Sequence, residues 1–219
     1  HKWVLATHLL CASKKGMSAH QLHRMIGVTY KSAWFMAHRI RESMIDTSPT
    51  PMGGPGSPVQ ADETYFGSKD EYRGKGERAK KGLSKKRAVV GLVSGGKSRM
   101  FTVKRADKET VTAIVRANVN KDAELHTDES RLYVQVGQEF AAHKTVHHSA
   151  GTYVEKDGTH TNNIEGYFGI FKRGMKGVYQ HCGEQHLQRY LNEFDFRYNN
   201  REVTDFERAD AAHKGAQGK

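Results

Sequence analysis

All four prolines of this chain fall between Pro49 and Pro58, in the run Asp46-Thr-Ser-Pro-Thr-Pro-Met-Gly-Gly-Pro-Gly-Ser-Pro58. Proline removes a backbone donor and fixes φ, so such a run continues neither a helix nor a sheet. It therefore divides the 219 residues into two unlike parts. Everything before it has helical spacing, and the residues after it mix strand and helix patterns. The boundaries read as a helical unit over 1–46, a linker over 47–58, a larger domain over 59–201 and a tail over 202–219.

The front part predicts three helices. Trp3, Val4, Leu5, His8, Leu9 and Ala12 are expected to form the apolar side of the first. Ser18 is placed to cap a second, Gly27 to turn the chain and Thr29 to cap a third, with Leu22, Ile26, Ala33, Trp34 and Ile40 facing inward. Two short helices joined through glycine fit a helix-turn-helix, whose second helix enters the major groove. That helix would offer Thr29, Tyr30, Lys31, Ser32, His38 and Arg39. A plain helical hairpin has the same pattern, and charge favours the DNA reading: Lys and Arg number 35 against 24 Asp and Glu, a net +11. Such a surplus favours a polyanionic partner, nucleic acid ahead of membrane. No apolar run reaches the ~20 residues of a membrane-spanning helix, and no signal peptide is visible. Cys11 and Cys182 make neither a disulfide framework nor a zinc site. A reduced, cytoplasmic protein is expected.

Beyond the linker, Val59–Phe66 alternates as a strand. Arg87–Ser94 and Arg99–Lys104 form a hairpin through Gly95-Gly96. A helix over 108–119, strands over 123–127 and 144–148, a short helix within 132–142, and helices opening at Asn162 and near Gln185 complete a βββαβαβα order. The fold class is α/β: a five-stranded mixed sheet with flanking helices, preceded by the helix-turn-helix. Between the first two strands, Ser68–Arg87 carries nine basic residues, among them Lys80, Lys81, Lys85 and Lys86. A solvated run and a phosphate-binding loop are both compatible with it.

Three carboxylates occupy informative positions. Asp62 lies on the first strand, Asp128 ends the fourth, and Glu165 opens a helix that Asn162 or Asn163 would cap. A βββαβα core makes the first and fourth strands neighbours, which gathers the three. Clustered carboxylates repel, and a hard divalent cation relieves that repulsion: Mg²⁺ or Mn²⁺, with two ions suited to phosphoryl transfer. Glu63 and Glu129 compete for the same role, although strand alternation sends Glu63 to the opposite face from Asp62. Lys172 lies seven residues beyond Glu165, near two helical turns, and so on the same face. It reads either as a phosphate ligand or as an ion-pair partner of Glu165.

Gln60-Ala-Asp-Glu-Thr-Tyr-Phe-Gly67, His126-Thr-Asp-Glu129, His160-Thr-Asn-Asn-Ile-Glu165 and Phe171-Lys-Arg-Gly174 carry a resemblance. So do Gly177-Val-Tyr-Gln-His181 and the block His186–Arg201. From Trp3 to Arg201 the chain resembles bacterial insertion-sequence DDE transposases related to the Merlin superfamily, the ISXO-like group. The resemblance implies an RNase H-like core with Asp62, Asp128 and Glu165 as catalytic and metal-binding acids, and Asn162 and Lys172 as added site residues. It implies double-stranded DNA as partner (terminal inverted repeats and target) and a homodimer or higher oligomer on it, with Lys172 and Arg173 against phosphate. End cleavage followed by strand transfer is the implied activity. An RNase H-like nuclease or resolvase, or a non-catalytic DNA-binding regulator, are the alternatives. Members of that group carry a zinc ribbon ahead of the helix-turn-helix, and no such cysteine pattern occurs here.

Overall fold

The computed structural model describes residues 1–67, 86–146, 155, 158–180 and 182–217. Strand β1 (Val59–Phe66) pairs antiparallel with β2 (Arg87–Ser94), and β2 with β3 (Lys97–Val103). The β2–β3 turn places both Gly95 and Gly96 at positive φ (52° and 75°), the requirement of a two-residue hairpin that follows strand twist. The chain then crosses through α4 (Lys108–Asn118), which Asp107 caps by accepting the Thr110 N–H. It returns as β4 (Glu124–Asp128), parallel to β1, passes the single turn α5 (Val134–Gly137), and adds β5 (Ala142–Val146) parallel to β4. The sheet order is β3-β2-β1-β4-β5. Three antiparallel strands followed by two parallel ones in this order make the RNase H-like core.

The two sheet faces bury separate clusters, as period-2 alternation requires. Val59, Ala61, Val90 and Leu92 pack under α4 and α5 with Val111, Val115, Leu125 and Tyr133. Val89, Val93 and Met100 pack under α6 (Asn162–Gly174) and α7 (Leu187–Asn199), against Ile164, Phe168, Phe171 and Leu191. A Cβ on Gly91 would lie 2.6 Å from Met100 Sδ and 3.1 Å from Ile164 Cδ1, so glycine on β2 lets α6 approach this closely. Beyond α6 the backbone widens into a π-helical turn, Met175–Tyr179, before the short turn Glu184–His186 leads into α7.

The front helices are α1 (Lys2–Ala12), α2 (Ala19–Ile26) and α3 (Tyr30–Ser43). Ser18 and Thr29 cap α2 and α3 by accepting the Gln21 and Ser32 N–H groups, and Gly27 is left-handed at φ 63°. Two expectations fail here. The buried side of α1 is Ala6, Thr7, Leu10 and Cys11, whereas Trp3, Val4 and Leu5 are exposed. Trp34 likewise sits at the surface, 36% exposed, while Leu22, Ile26, Ala33 and Ile40 are buried. The reason is the partner that covers α1. Residues 205–214, expected within a tail, form α8 (Asp205–Lys214), and its Ala209 and Ala212 join the α1–α3 core. Small residues on α8 admit close approach on the alanine–cysteine side of α1. Arg208 fastens the contact by donating to the Cys11 carbonyl at 2.9 Å.

The proline segment is pinned rather than loose: Met52 donates to the Asn118 carbonyl (2.7 Å) and accepts from Asn120 (2.9 Å). Among the described residues no helix is long and apolar enough to cross a membrane.

Candidate active site

The register of the two central strands sets the site. Gln60 pairs with His126 across the parallel β1–β4 contact. Asp62 and Asp128 each follow two residues later, so they stand level on neighbouring strands and on the same sheet face. Both are partly buried. Asp62 Oδ1 accepts the Glu63 N–H at 2.7 Å, and Asp128 Oδ1 accepts the Ser130 N–H at 3.0 Å. Glu165, in the first turn of α6, is exposed, and the Thr161 hydroxyl donates to its Oε1 at 3.2 Å.

The electrostatics tie these groups together. Burial pushes the Asp62 carboxyl up to about 7, and the charges of Asp128, Glu63 and Glu165 push in the same direction against the Glu63 N–H bond. Like charges that oppose the ionisation of Asp62 are a cost that a bound cation would offset. Carboxylate oxygens from β1, β4 and α6, with no thiolate among them, suit a hard divalent ion. Among the described residues no three His, Cys, Asp or Glu side chains are already drawn into a metal-holding group. The carboxylates of Asp62, Asp128 and Glu165 match such an ion in donor chemistry, without being gathered into a ligand set in this structure.

Glu63 turns to the other face, as alternation predicts. Its Oε2 accepts the Tyr133 hydroxyl at 3.0 Å and its Oε1 the Ser130 hydroxyl at 3.5 Å. Burial raises its pKa and the Tyr133 bond opposes that rise. Tyr133 and Ser130 thereby brace the loop after Asp128. Glu129 is exposed on that loop.

The cap of α6 differs from expectation. Asn162 and Asn163 are both exposed and neither caps the helix. The acceptor is Gln60 of β1, whose Oε1 takes the N–H groups of Asn163 and Ile164 at 3.1 Å each. Local patterning points to the nearest asparagines and misses a group a hundred residues away. The available signal was a glutamine inside an otherwise buried strand, since a buried amide must find partners.

Of the basic candidates, Lys172 is half-buried and Arg173 exposed near the end of α6, and Lys86 is exposed just before β2. Lys80, Lys81 and Lys85 lie outside the described residues. Thr29, Tyr30, Lys31 and Ser32 are exposed at the start of α3, where Tyr30 stacks on His20 with ring centres 4.3 Å apart. Arg39 is exposed and ion-paired with Glu42. His38 is a correction. It is 3% exposed and enclosed by Trp34, His186 and Tyr190, so its ring is not available at the surface.

A family described as the ISXO2-like transposase domain matches residues 53–199, from within the proline segment to the last residue of α7. The chain belongs to that family. The match spans β1, β4 and α6, and therefore all three acids. An uncharacterized transposase-like protein of Haemophilus influenzae is 26% identical to this ISXO2-like chain over 109 residues, 49% of this chain and 86% of that protein. Among solved structures, the crystal structure of the Mos1 strand transfer complex aligns with a TM-score of 0.37 at 10% identity, covering 98% of this chain and 75% of that one. The RNase H-like assignment rests on strand order and direction rather than on that alignment.

Proposed function

We propose that this ISXO2-like transposase cuts DNA at transposon ends and joins the freed 3′ ends to target DNA, with Asp62, Asp128 and Glu165 as its catalytic acids. The observation that carries the reading is the β1–β4 register, which levels Asp62 with Asp128 on the face covered by α6. Magnesium or manganese, two ions in the fullest form, held by these three acids would activate the attacking oxygen and stabilise the departing one. Thr161 orients the Glu165 carboxylate through its hydroxyl. Lys172 and Arg173 supply positive charge further along the same helix, where a DNA phosphate would enter, and Asn162 presents its amide at the exposed helix start. Lys86 extends the basic surface beside β2.

Residues 1–46, closed by α8, would act as the DNA-binding unit, presenting Thr29, Tyr30, Lys31 and Ser32 at the exposed start of α3. Joining two ends to one target requires at least two catalytic centres, hence a homodimer or larger assembly on DNA. Its place of action would be the bacterial cytoplasm, on nucleoid DNA.

The test is cleavage of a duplex carrying the transposon end. Asp62→Asn, Asp128→Asn and Glu165→Gln should each abolish cleavage and leave DNA affinity within a few-fold of wild type. Wild-type cleavage by any one of them removes that residue from the catalytic set.

A further inference from the structure

Gln60 is a buried polar side chain for which the proposed chemistry has no use. It is 4% exposed, on β1, two residues before Asp62 and on the same face. A primary amide offers one acceptor oxygen with two lone pairs and two N–H donors. Here the oxygen takes the N–H groups of Asn163 and Ile164, and Nε2 lies 3.1 Å from Nδ1 of His160. Asn163 and Ile164 are the second and third residues of α6, whose N–H groups have no partner within the helix. Ordinarily the residue just before the helix supplies that acceptor. That residue is Thr161, which makes no capping bond and instead directs its hydroxyl to Glu165 Oε1.

The roles are thus divided between two side chains. Gln60 caps α6 from the strand, and Thr161 holds the carboxylate. One amide consequently bridges the strand that bears Asp62 and the helix start that bears Glu165. We propose that Gln60 is a positioning residue that fixes Glu165 relative to Asp62 and Asp128, and so sets the affinity of the site for divalent cations. This rests on the reading of those three acids as cation ligands. A glutamine chosen only for volume would instead be replaceable by leucine.

The experiment is Mn²⁺ binding by the whole chain, monitored by electron paramagnetic resonance, with DNA affinity and thermal melting measured beside it. Loss of a group that orients a metal ligand weakens metal binding by about 10- to 100-fold. Gln60→Leu, which lacks both partners, and Gln60→Asn, which is one methylene too short, should each show that loss with DNA affinity unchanged. Gln60→Glu keeps the acceptor oxygens at a helix N-terminus, where negative charge is favoured, and should stay nearer wild type than to Gln60→Leu. A folded Gln60→Leu or Gln60→Asn chain with wild-type Mn²⁺ affinity overturns the proposal. So does a Gln60→Glu chain that is as impaired as Gln60→Leu or does not fold. Asp62→Asn separates the two levels. If it spares Mn²⁺ binding, the acid-site reading fails; if it abolishes binding while Gln60→Leu spares it, only the positioning role fails.

Discussion

Replacing Glu193 by Gln should lower stability by about 3–5 kcal/mol, the usual cost of breaking a buried ion pair from one side. Glu193 is fully buried on α7. Its Oε2 accepts from Arg41 Nε of α3 at 2.6 Å, and its Oε1 accepts from Arg197 and from the Tyr179 hydroxyl. Arg41 also lies 4.3 Å above the Tyr190 ring. The cluster is the polar seam between the front helices and the RNase H-like core. Burial alone would raise the Glu193 pKa. The charges of Arg197 and Arg41, with the Tyr179 bond, outweigh burial and hold it down at about 2. A displacement from 4.5 to about 2 corresponds to a few kcal/mol at ~1.4 kcal/mol per unit, the same order of magnitude as the first figure. For a chain of this size the loss corresponds to a melting temperature about 6–20 °C lower. Because the folded pKa is depressed, this stabilisation is fully present above pH 4.5 and disappears as pH falls through about 2. The deficit of Glu193→Gln should therefore be largest at neutral pH and shrink below pH 4.5. Thermal and urea unfolding tracked by circular dichroism at pH 7 and pH 4 measure it. A deficit under about 1 kcal/mol at pH 7, the scale of an exposed pair, would refute this picture of the seam.

Two further outcomes are expected. Burial, with the nearby charges of Arg41, His186 and Arg189, lowers the His38 pKa from 6.5 to about 3. Its contribution is intact above pH 6.5 and is lost by ~1.4 kcal/mol per unit as pH falls toward about 3. Urea unfolding at pH 6.5 and pH 5 should then show His38→Phe losing roughly 2 kcal/mol less than wild type over that interval; equal losses would remove His38 as the cause. Lys31→Ala should weaken binding to any duplex sequence and reduce the slope of log affinity against log salt by about 0.9, and an unchanged slope would exclude a phosphate contact.

Much of the architecture was legible because its signals are local. Strand bounds at Val59–Phe66 and Arg87–Ser94, the paired glycines at 95–96, and the caps Ser18 and Thr29 all act over a few residues. The buried side of α1 was not legible, since apolar residues surround that helix and the choice falls to α8, about two hundred positions later. The burial of His38 is hidden from the sequence for a related reason: a polar residue at a surface-like position is enclosed by His186 and Tyr190 from the other unit. Asp62, Asp128 and Glu165 could be singled out by residue type and order. Their common level depends on the β1–β4 register, and Glu165 depends on a cap that comes from Gln60. Those are long-range facts, with only a buried strand glutamine to hint at them.

The most direct test of the central claim is a strand-transfer assay with the purified chain, Mg²⁺ or Mn²⁺, a duplex carrying the transposon end and a separate target. The expected result is a released 3′-hydroxyl end and a covalently joined product, both absent with Asp128→Asn. Cleavage without joining would instead indicate a nuclease, and binding without cleavage a DNA-binding regulator; either result would contradict the assignment of strand transfer to this chain.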